Sequence, residues 1–397
     1  GLLALPWEMV THIASHLPAQ CVISVLPKVC HVLGNVGKDS TAWQLRARRL
    51  VGARAGFPVG PREDVDWPSA CLEMEQLVSS WTGQADFVAS ISLPLKHFAQ
   101  IDTILLLGGE ATVCVTGSRD RNVHLWDLQS DAGRLRHTFA ERGTFSTHQG
   151  WVWCLGAQGN SLASGAFDST IRLWDLQACG TEMGLIRTGA PVHCLSYQPD
   201  VLLAGTIDRK VNMYDPRDRG FVSGFHLGHL CVFKAAEPLV KSLRPHSKAV
   251  ICLAADDKYI LSGSTDCTVA MYDRRAGKAL KRLRLNSYLM AMSYSGCEMW
   301  AGDNKGNLHS FSVAGTLKAL SQFDVGHTAL ITGIHSSAGS LYTCSSDSTV
   351  KVHIPCAPPR TLCTLQHRGG VNALNVKAGV LAVAFGEFYA EIWRPRK

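Results

Sequence analysis

Gly165-Ala166-Phe167-Asp168-Ser169-Thr170-Ile171-Arg172-Leu173-Trp174-Asp175 reads as a tight turn followed by a strand. Thr170, Arg172 and Trp174 alternate with Ile171 and Leu173, the period of two that places successive side chains on opposite faces of a sheet. A Gly-x-x-Asp turn precedes the strand and a Trp-Asp pair closes it. Outward from this stretch the frame recurs six more times. The turn position is held by Asp120, Asp168, Asp208, Asp266, Lys305, Asp347 and Glu387. Six residues later stand Trp126, Trp174, Tyr214, Tyr272, Phe311, His353 and Trp393. These strand ends lie 48, 40, 58, 39, 42 and 40 residues apart. Such a period predicts one small β unit per repeat, each stacked on its neighbours because none buries a core alone.

Two further offsets repeat. His148, His246, His327 and His367 stand twenty residues before the turn position, and Thr116, Ser164, Ser262 and Thr343 stand four before it. Chance does not keep three offsets in step. With its Trp-Asp closures, the pattern resembles the WD-repeat family, which implies an all-β seven-bladed propeller over residues 87–397. The resemblance also implies structural tetrads, in which an indole donates to a hydroxyl, the hydroxyl to a His and the His to an Asp. The members are Thr116, Asp120 and Trp126 in blade one, and His148, Ser164, Asp168 and Trp174 in blade two. Blade four has His246, Ser262, Asp266 and Tyr272, and blade six has His327, Thr343 and Asp347. Each buried polar group then gains a partner, as burial requires. Such a line looks like a Ser-His-Asp catalytic triad. A nucleophile needs exposure and an oxyanion site, however, and this set repeats with variations, so a structural role is expected. Blades three, five and seven lack members and are expected to lean on apolar packing.

At 397 residues, 46% hydrophobic and 18% charged, the chain suits one large domain and a small one, both with filled cores. It shows no signal-peptide pattern and no apolar run long enough to span a membrane. The absence of Met at residue 1 leads to the expectation that residues have been trimmed ahead of Gly1. The 14 cysteines are scattered through apolar contexts such as Val113-Cys114-Val115, with no Cys-x-x-Cys pair. That is the usage of a reducing compartment, so cytoplasm or nucleus is expected. The formal charge of +7 is uneven. Within residues 1–60, Lys28, Lys38, Arg46, Arg48, Arg49 and Arg54 face only Glu8 and Asp39, and Arg394, Arg396 and Lys397 end the chain. Without a basic, aromatic-interleaved motif this reads as a solvated face and argues against a nucleic-acid partner. No His-Glu-x-x-His, paired-Cys or Gly-Lys-Ser/Thr run appears, so no metal or cofactor is expected.

Residues 1–50 follow another period. From Trp7, the residues Met9, Val10, Ile13, Ala14 and Leu17 keep helical spacing. Pro6 suits the first turn, where its missing N–H costs nothing. Pro18 and Pro27 interrupt the pattern, separating Cys21, Val22, Val25 and Leu26 from Val29, Cys30, Val32 and Leu33. Ser40 is expected to cap a last helix with Trp43, Leu45 and Arg46. Short helices in so small a segment cannot bury this much apolar surface among themselves, so part of it should face a partner. Leu5-Pro6-Trp7-Glu8-Met9, Ile13, Leu17, Val29-Cys30 and Trp43 resemble the F-box. Cys21-Val22 and Leu33 stand where that family usually has Asp-Leu and Trp. The resemblance implies that Leu5, Pro6, Glu8, Ile13, Leu17, Val29, Cys30 and Trp43 form or support a surface for a Skp-type adaptor, and through it a cullin-RING ligase.

Residues 51–86 read as a linker. Gly52, Gly56, Pro58, Gly60 and Pro61 make its first half irregular. Leu72, Met74, Leu77 and Val78 predict a helix from near Ser69 to Trp81. A helix there holds the two parts at a fixed distance, where a coil lets them swing. After Trp393 too few residues remain for an outer strand. The strand-like Phe87-Val88-Ala89-Ser90-Ile91 is expected to pair there, closing the ring and covering an exposed edge. The long intervals before His148 and His246, the second with Phe221, Phe225, Leu230, Val232 and Phe233, are expected to be outer strands or rim loops. A contact surface is the alternative.

An F-box followed by WD repeats resembles the substrate receptors of Skp-cullin-F-box ubiquitin ligases. This implies a non-catalytic subunit whose head binds the adaptor and whose propeller binds a protein destined for ubiquitin transfer. The alternatives are a propeller scaffold without ligase linkage and a lipid- or nucleic-acid-binding propeller. In phosphodegron-binding members, Arg residues come from two positions, fifteen residues before the turn Asp and immediately before it. Here the first holds Leu105, Trp153, His193, Ile251, Met290, Thr332 and Asn372, and the second Arg119, Phe167, Ile207, Thr265, Asn304, Ser346 and Gly386. Arg119 is the one fixed cation among them, and His193 a titratable group. A phosphate wants several charge-assisted donors. Trp153, Phe167, Ile207, Ile251 and Met290 instead predict an apolar and aromatic docking patch, with Arg119 fixing one acidic group. The alternative is that these residues plug the channel.

Overall fold

The computed structural model describes residues 4–61, 65–82, 88–94, 96–129, 133–139, 146–178, 180–216 and 239–395. The repeat frame folds into seven four-stranded antiparallel sheets. Their strands fall within 101–139, 152–187, 192–243, 250–284, 289–324, 331–366 and 371–395. In the first six blades the strands pair in chain order. In the seventh, three strands from 371–395 are completed by the N-terminal strand β1 (Val88–Ser92). Ile91 of β1 lies opposite Ile392, and Ser90 opposite Trp393. The expected closing strand therefore covers the leftover edge, while Phe87 lies outside the described residues. Ile91 and Leu93 are buried with Ala390 and Ile392, so an apolar seam adds to the backbone bonds of closure. The aromatic insert with Phe221, Phe225, Leu230, Val232 and Phe233 also lies outside the described residues.

The turns explain why the frame repeats. The Asp at the turn position accepts the backbone N–H two residues on, from Asn122, Thr170, Thr268 and Thr349, at 2.9 to 3.0 Å. This is a side-chain brace for a tight turn. The residue between takes a left-handed conformation, as at Arg121, Ser169 and Cys267. In blade five Lys305 replaces the bracing Asp, and the left-handed position is Gly306, with φ of 88°. A Cβ there would stand 2.6 Å from the His327 carbonyl oxygen, so a glycine is required.

The head comprises α1 (Trp7–Ala14), α2 (Ala19–Ser24), α3 (Leu26–Val29), α4 (His31–Gly34), a 3-10 turn (Asn35–Lys38) and α5 (Ser40–Val51). Pro6 stands one position earlier than expected, as the N-cap of α1. Pro27 does not break a helix; it sits in the first turn of α3, where no bond is lost. Asp39, not Ser40, caps α5, its Oδ1 accepting from Thr41 N at 2.9 Å. A carboxylate there also meets the positive end of the helix. Val10, Ala14, Ala19, Val22, Leu33, Val36 and Trp43 form the head core, closed by Trp67 and Cys71 of α6 (Trp67–Thr82).

α6 packs on both bodies. Toward the head, Glu75 pairs with the buried Arg46 guanidinium and accepts Ala19 N at 2.6 Å, while Arg46 Nη2 donates to the Ala14 carbonyl at 2.9 Å. Toward the propeller, Met74, Leu77 and Trp81 pack with Tyr342, Val350 and Val352 of blade six. Glu73 accepts Gly339 N at 2.7 Å and the Ser340 hydroxyl at 3.1 Å. Gly56 and Ala357 exchange two backbone bonds of 2.9 Å. The helical half of the linker is thus a shared structural member, not a free spacer. Among the described residues no helix is long and apolar enough to cross a membrane.

Candidate functional site

The polar lines within the blades are assembled from the second and third strands and the segment before the first. In blade two, Trp174 Nε1 donates to Ser164 Oγ at 3.0 Å. Ser164 lies 2.7 Å from His148 Nε2, and His148 Nδ1 lies 3.1 Å from Asp168 Oδ2. Burial alone would raise the Asp168 pKa, but the bond and charge of His148, with the Thr170 hydroxyl and Gln149 amide, hold it well below the usual range. Ser164 and His148 are fully buried, so this line braces a blade and presents no nucleophile. Blade one has the same line through His97, which the offset of twenty missed. His97 lies 2.7 Å from Asp120 and 2.8 Å from Thr116, which also accepts from Trp126 at 2.8 Å. The first hairpin of blade one spans five residues, 108–112, against two in blade two, 159–160, and this moves the His three residues further upstream.

The other blades vary the theme. In blade four His246 lies 2.8 Å from Ser262, but Thr268 takes its second nitrogen at 2.8 Å and Asp266 stands 3.6 Å away. Tyr272 does not join this line; its hydroxyl accepts from Lys241 Nζ at 2.6 Å. In blade six His327 bridges Asp347 at 3.0 Å and Thr343 at 2.8 Å, and His353 replaces the indole, 3.0 Å from Thr343. Blade five, expected to rest on apolar packing, carries its own buried polar hub at Asp303, two residues before Lys305. Asp303 accepts from Ser287 at 2.7 Å, lies 2.8 Å from His309 Nε2 and accepts the Lys305 and Asn307 amides.

On the propeller, Trp153 meets Phe167 and His193, each with ring centroids 5.1 Å away. Trp151, which the position rule does not select, extends the cluster 5.8 Å from Phe167. It directly precedes the innermost strand of blade two, Val152–Gln158, and its carbonyl accepts Phe167 N at 2.8 Å. Trp151, Phe167 and Ile207 are exposed, and Met290 is half-buried. Ile251 is not part of the exposed patch; it is 8% exposed. Arg119 is already paired with one carboxylate. Its Nε donates to Asp102 at 2.7 Å, and its guanidinium lies 5.0 Å from the Trp151 ring. Burial pushes the His193 pKa below its ordinary value, so His193 is neutral at pH 7. The cluster is aromatic and carries little net charge.

On the head, Leu5, Ile13, Leu17 and Val29 are exposed, Val29 by 63%. Pro6 and Glu8 are exposed beside them. Trp43 lies in the core at 2% exposure, its indole donating to the Gly37 carbonyl at 2.9 Å, so it supports this face from behind. Cys30 caps α4, its Sγ accepting Leu33 N at 3.4 Å. Val22 and Leu33, at the positions that depart from the F-box pattern, are both buried in the head. Among the described residues no group of His, Cys, Asp and Glu is arranged to hold a metal ion.

Residues 139–175 and 237–273 match the family described as WD domain, G-beta repeat. The chain is 45% identical over 398 residues to F-box/WD repeat-containing protein 9 of Bos taurus, covering 99% of this chain and 82% of that protein. It is 43% identical over 400 residues to F-box/WD repeat-containing protein 9 of Homo sapiens, with the same coverage of 99% and 82%. It is 23% identical over 337 residues to F-box/WD repeat-containing protein mec-15 of Caenorhabditis elegans, covering 79% and 78%. In fold it is similar to the structure of U3-55K, with a TM-score of 0.66 at 16% identity over 78% of this chain and 99% of that one. The WD40 beta propeller domain of Doa1 gives a TM-score of 0.63 at 17% identity over 80% and 98%.

Proposed function

The chain belongs to the F-box/WD repeat-containing protein 9 family, and we propose that it is the substrate-recognition subunit of a Skp-cullin-F-box ubiquitin ligase. The observation that carries this reading is the apolar face of the head, where Leu5, Ile13, Leu17 and Val29 stand in solvent above the buried Trp43. Apolar side chains left in water at this density suit an interface built on a few buried anchors, here an adaptor. The propeller then holds the protein to be modified. α6, packed on both bodies, sets the distance between them. The chain contributes position, not chemistry: it raises the effective concentration of a substrate lysine near an enzyme carried by other subunits.

The proposed substrate face is the exposed cluster of Trp151, Phe167 and Ile207 with Trp153 behind it. Asp102 offsets the charge of Arg119, and a phosphate needs several cationic donors, so this face favours an apolar or aromatic segment. Free buried thiols such as Cys114, Cys154 and Cys344 suit the reducing cytoplasm or nucleus as its place of work. Replacing Leu5 and Pro6 together with Ala abolishes co-purification of the adaptor while the propeller stays folded by circular dichroism. Undiminished co-purification refutes the assignment.

A further inference from the structure

Two aromatic rings fill the seam between blades one and two. Trp174 and Phe139 are fully buried there, with ring centroids 5.3 Å apart. The strand register places Leu243 at the position of Phe139: Phe139 lies opposite Val123, and Leu243 opposite Val211. Tyr272 stands at the position of Trp174, six residues after the turn Asp. The seam between blades three and four therefore has an isobutyl group and a phenol where the other has a phenyl and an indole. Lys241 Nζ donates to the Tyr272 hydroxyl at 2.6 Å near solvent, so the phenol does not serve Ser262. Ser262, 2.8 Å from His246, lacks the indole donor that Ser164 receives from Trp174.

A cavity of about 320 Å³ lies in this seam, walled by Val211, Leu243, Ile260, Met271 and Tyr272, with Ser262 in its lining. Arg244, Lys281 and Arg282 put three cationic side chains in the rest of its lining. Arg282 is shared with Asp266 at 3.1 Å. The space is mostly apolar, opens to solvent, and is of a size that accepts a small organic ligand.

We propose that this seam binds a planar aromatic acid. One or two fused rings occupy the space that Phe139 and Trp174 occupy in the neighbouring seam. A ring N–H or hydroxyl donates to Ser262, and the carboxylate meets Arg244 and Lys281. Apolar burial supplies the affinity, and the cations select the acid over the neutral ring. This site is independent of the adaptor and of the aromatic cluster on blades one to three.

Ligand-observed NMR on the full chain tests it, with indole-3-acetate and neutral 3-methylindole as probes. The acid binds saturably with Kd on the order of 1 mM or tighter, and the neutral probe about tenfold more weakly. Tyr272→Trp and, separately, Leu243→Phe fill the seam from either side, and each abolishes binding of both probes. Arg244→Ala with Lys281→Ala lowers affinity for the acid about tenfold and leaves that for 3-methylindole unchanged. No saturable binding to the unaltered chain, or binding that survives both filled variants, overturns the site. Equal loss of both probes in the charge variant overturns the choice of an acid.

Discussion

Replacing Glu73 with Ala tests whether the head and propeller are held in register by α6. The Glu73 carboxylate accepts from Gly339 N at 2.7 Å, from the Ser340 hydroxyl at 3.1 Å and from the Ser337 hydroxyl. A hydrogen bond to a charged group contributes about 1.5–3 kcal/mol, and a donor stranded in a buried place costs about 1–3 kcal/mol. The two hydroxyls have a partner in each other at 2.6 Å; the Gly339 N–H has none. The substitution is therefore expected to weaken this contact by about 2–4 kcal/mol. Burial of Met74, Leu77 and Trp81 stabilises the same docking by at most about 5–9 kcal/mol, so α6 loosens without leaving the blade. Native-state hydrogen exchange reads the difference. The Gly339 amide should exchange about 30- to 700-fold faster in Glu73→Ala. Glu73→Gln keeps a neutral acceptor and should show about half the energetic loss. An unchanged Gly339 rate in Glu73→Ala would refute the clamp and leave apolar packing as the whole of the contact.

Ile91→Ala should cost about 2–4 kcal/mol and lower Tm, because Ile91 is buried at the closing strand, while Ser90→Ala on the exposed face should stay within about 0.5 kcal/mol; equal Tm values contradict closure by β1. Burial holds the His353 pKa down to about 3, with the His327 and Lys351 charges adding to it, and burial with the His97 charge holds His124 at about 4. Both lie below the ordinary 6.5, so the neutral forms favour the fold: stability is full above pH 6.5 and falls as pH drops toward 4, by up to about 1.4 kcal/mol per unit per histidine. Urea unfolding at pH 7 and pH 5 checks this, and identical stabilities would contradict it. Trp151→Ala with Phe167→Ala should release captured partners, weakening binding by about 2–4 kcal/mol, whereas phosphatase treatment should not; the reverse pattern rejects the aromatic reading of that face.

The blades were legible because each repeat marks its own turn and strand end. An Asp that braces a tight turn and an aromatic that fills a seam leave the same residues at the same spacing. His97 escaped because a fixed offset assumes equal hairpins, and the first hairpin of blade one is longer. Asp303 escaped because blade five moves its carboxylate two residues upstream, where it still reaches the Lys305 and Asn307 amides. Position alone groups Tyr272 with the indoles, but its reach and polarity differ, and Lys241 takes its hydroxyl. Arg119 shows that a cation in the right place is not an unpaired cation, since Asp102 lies seventeen residues away in sequence and 2.7 Å away in space. The contacts that join head to propeller are beyond any local pattern. Glu73 meets Gly339 across 266 residues, and Gly60 N donates to Glu298 across 238.

The most direct measurement is titration calorimetry of the purified chain with a purified Skp-type adaptor. The account predicts a saturable equimolar complex with a negative heat-capacity change from apolar burial, lost when Leu5 and Pro6 are replaced with Ala. Absence of binding, or binding that those substitutions leave unchanged, would contradict it.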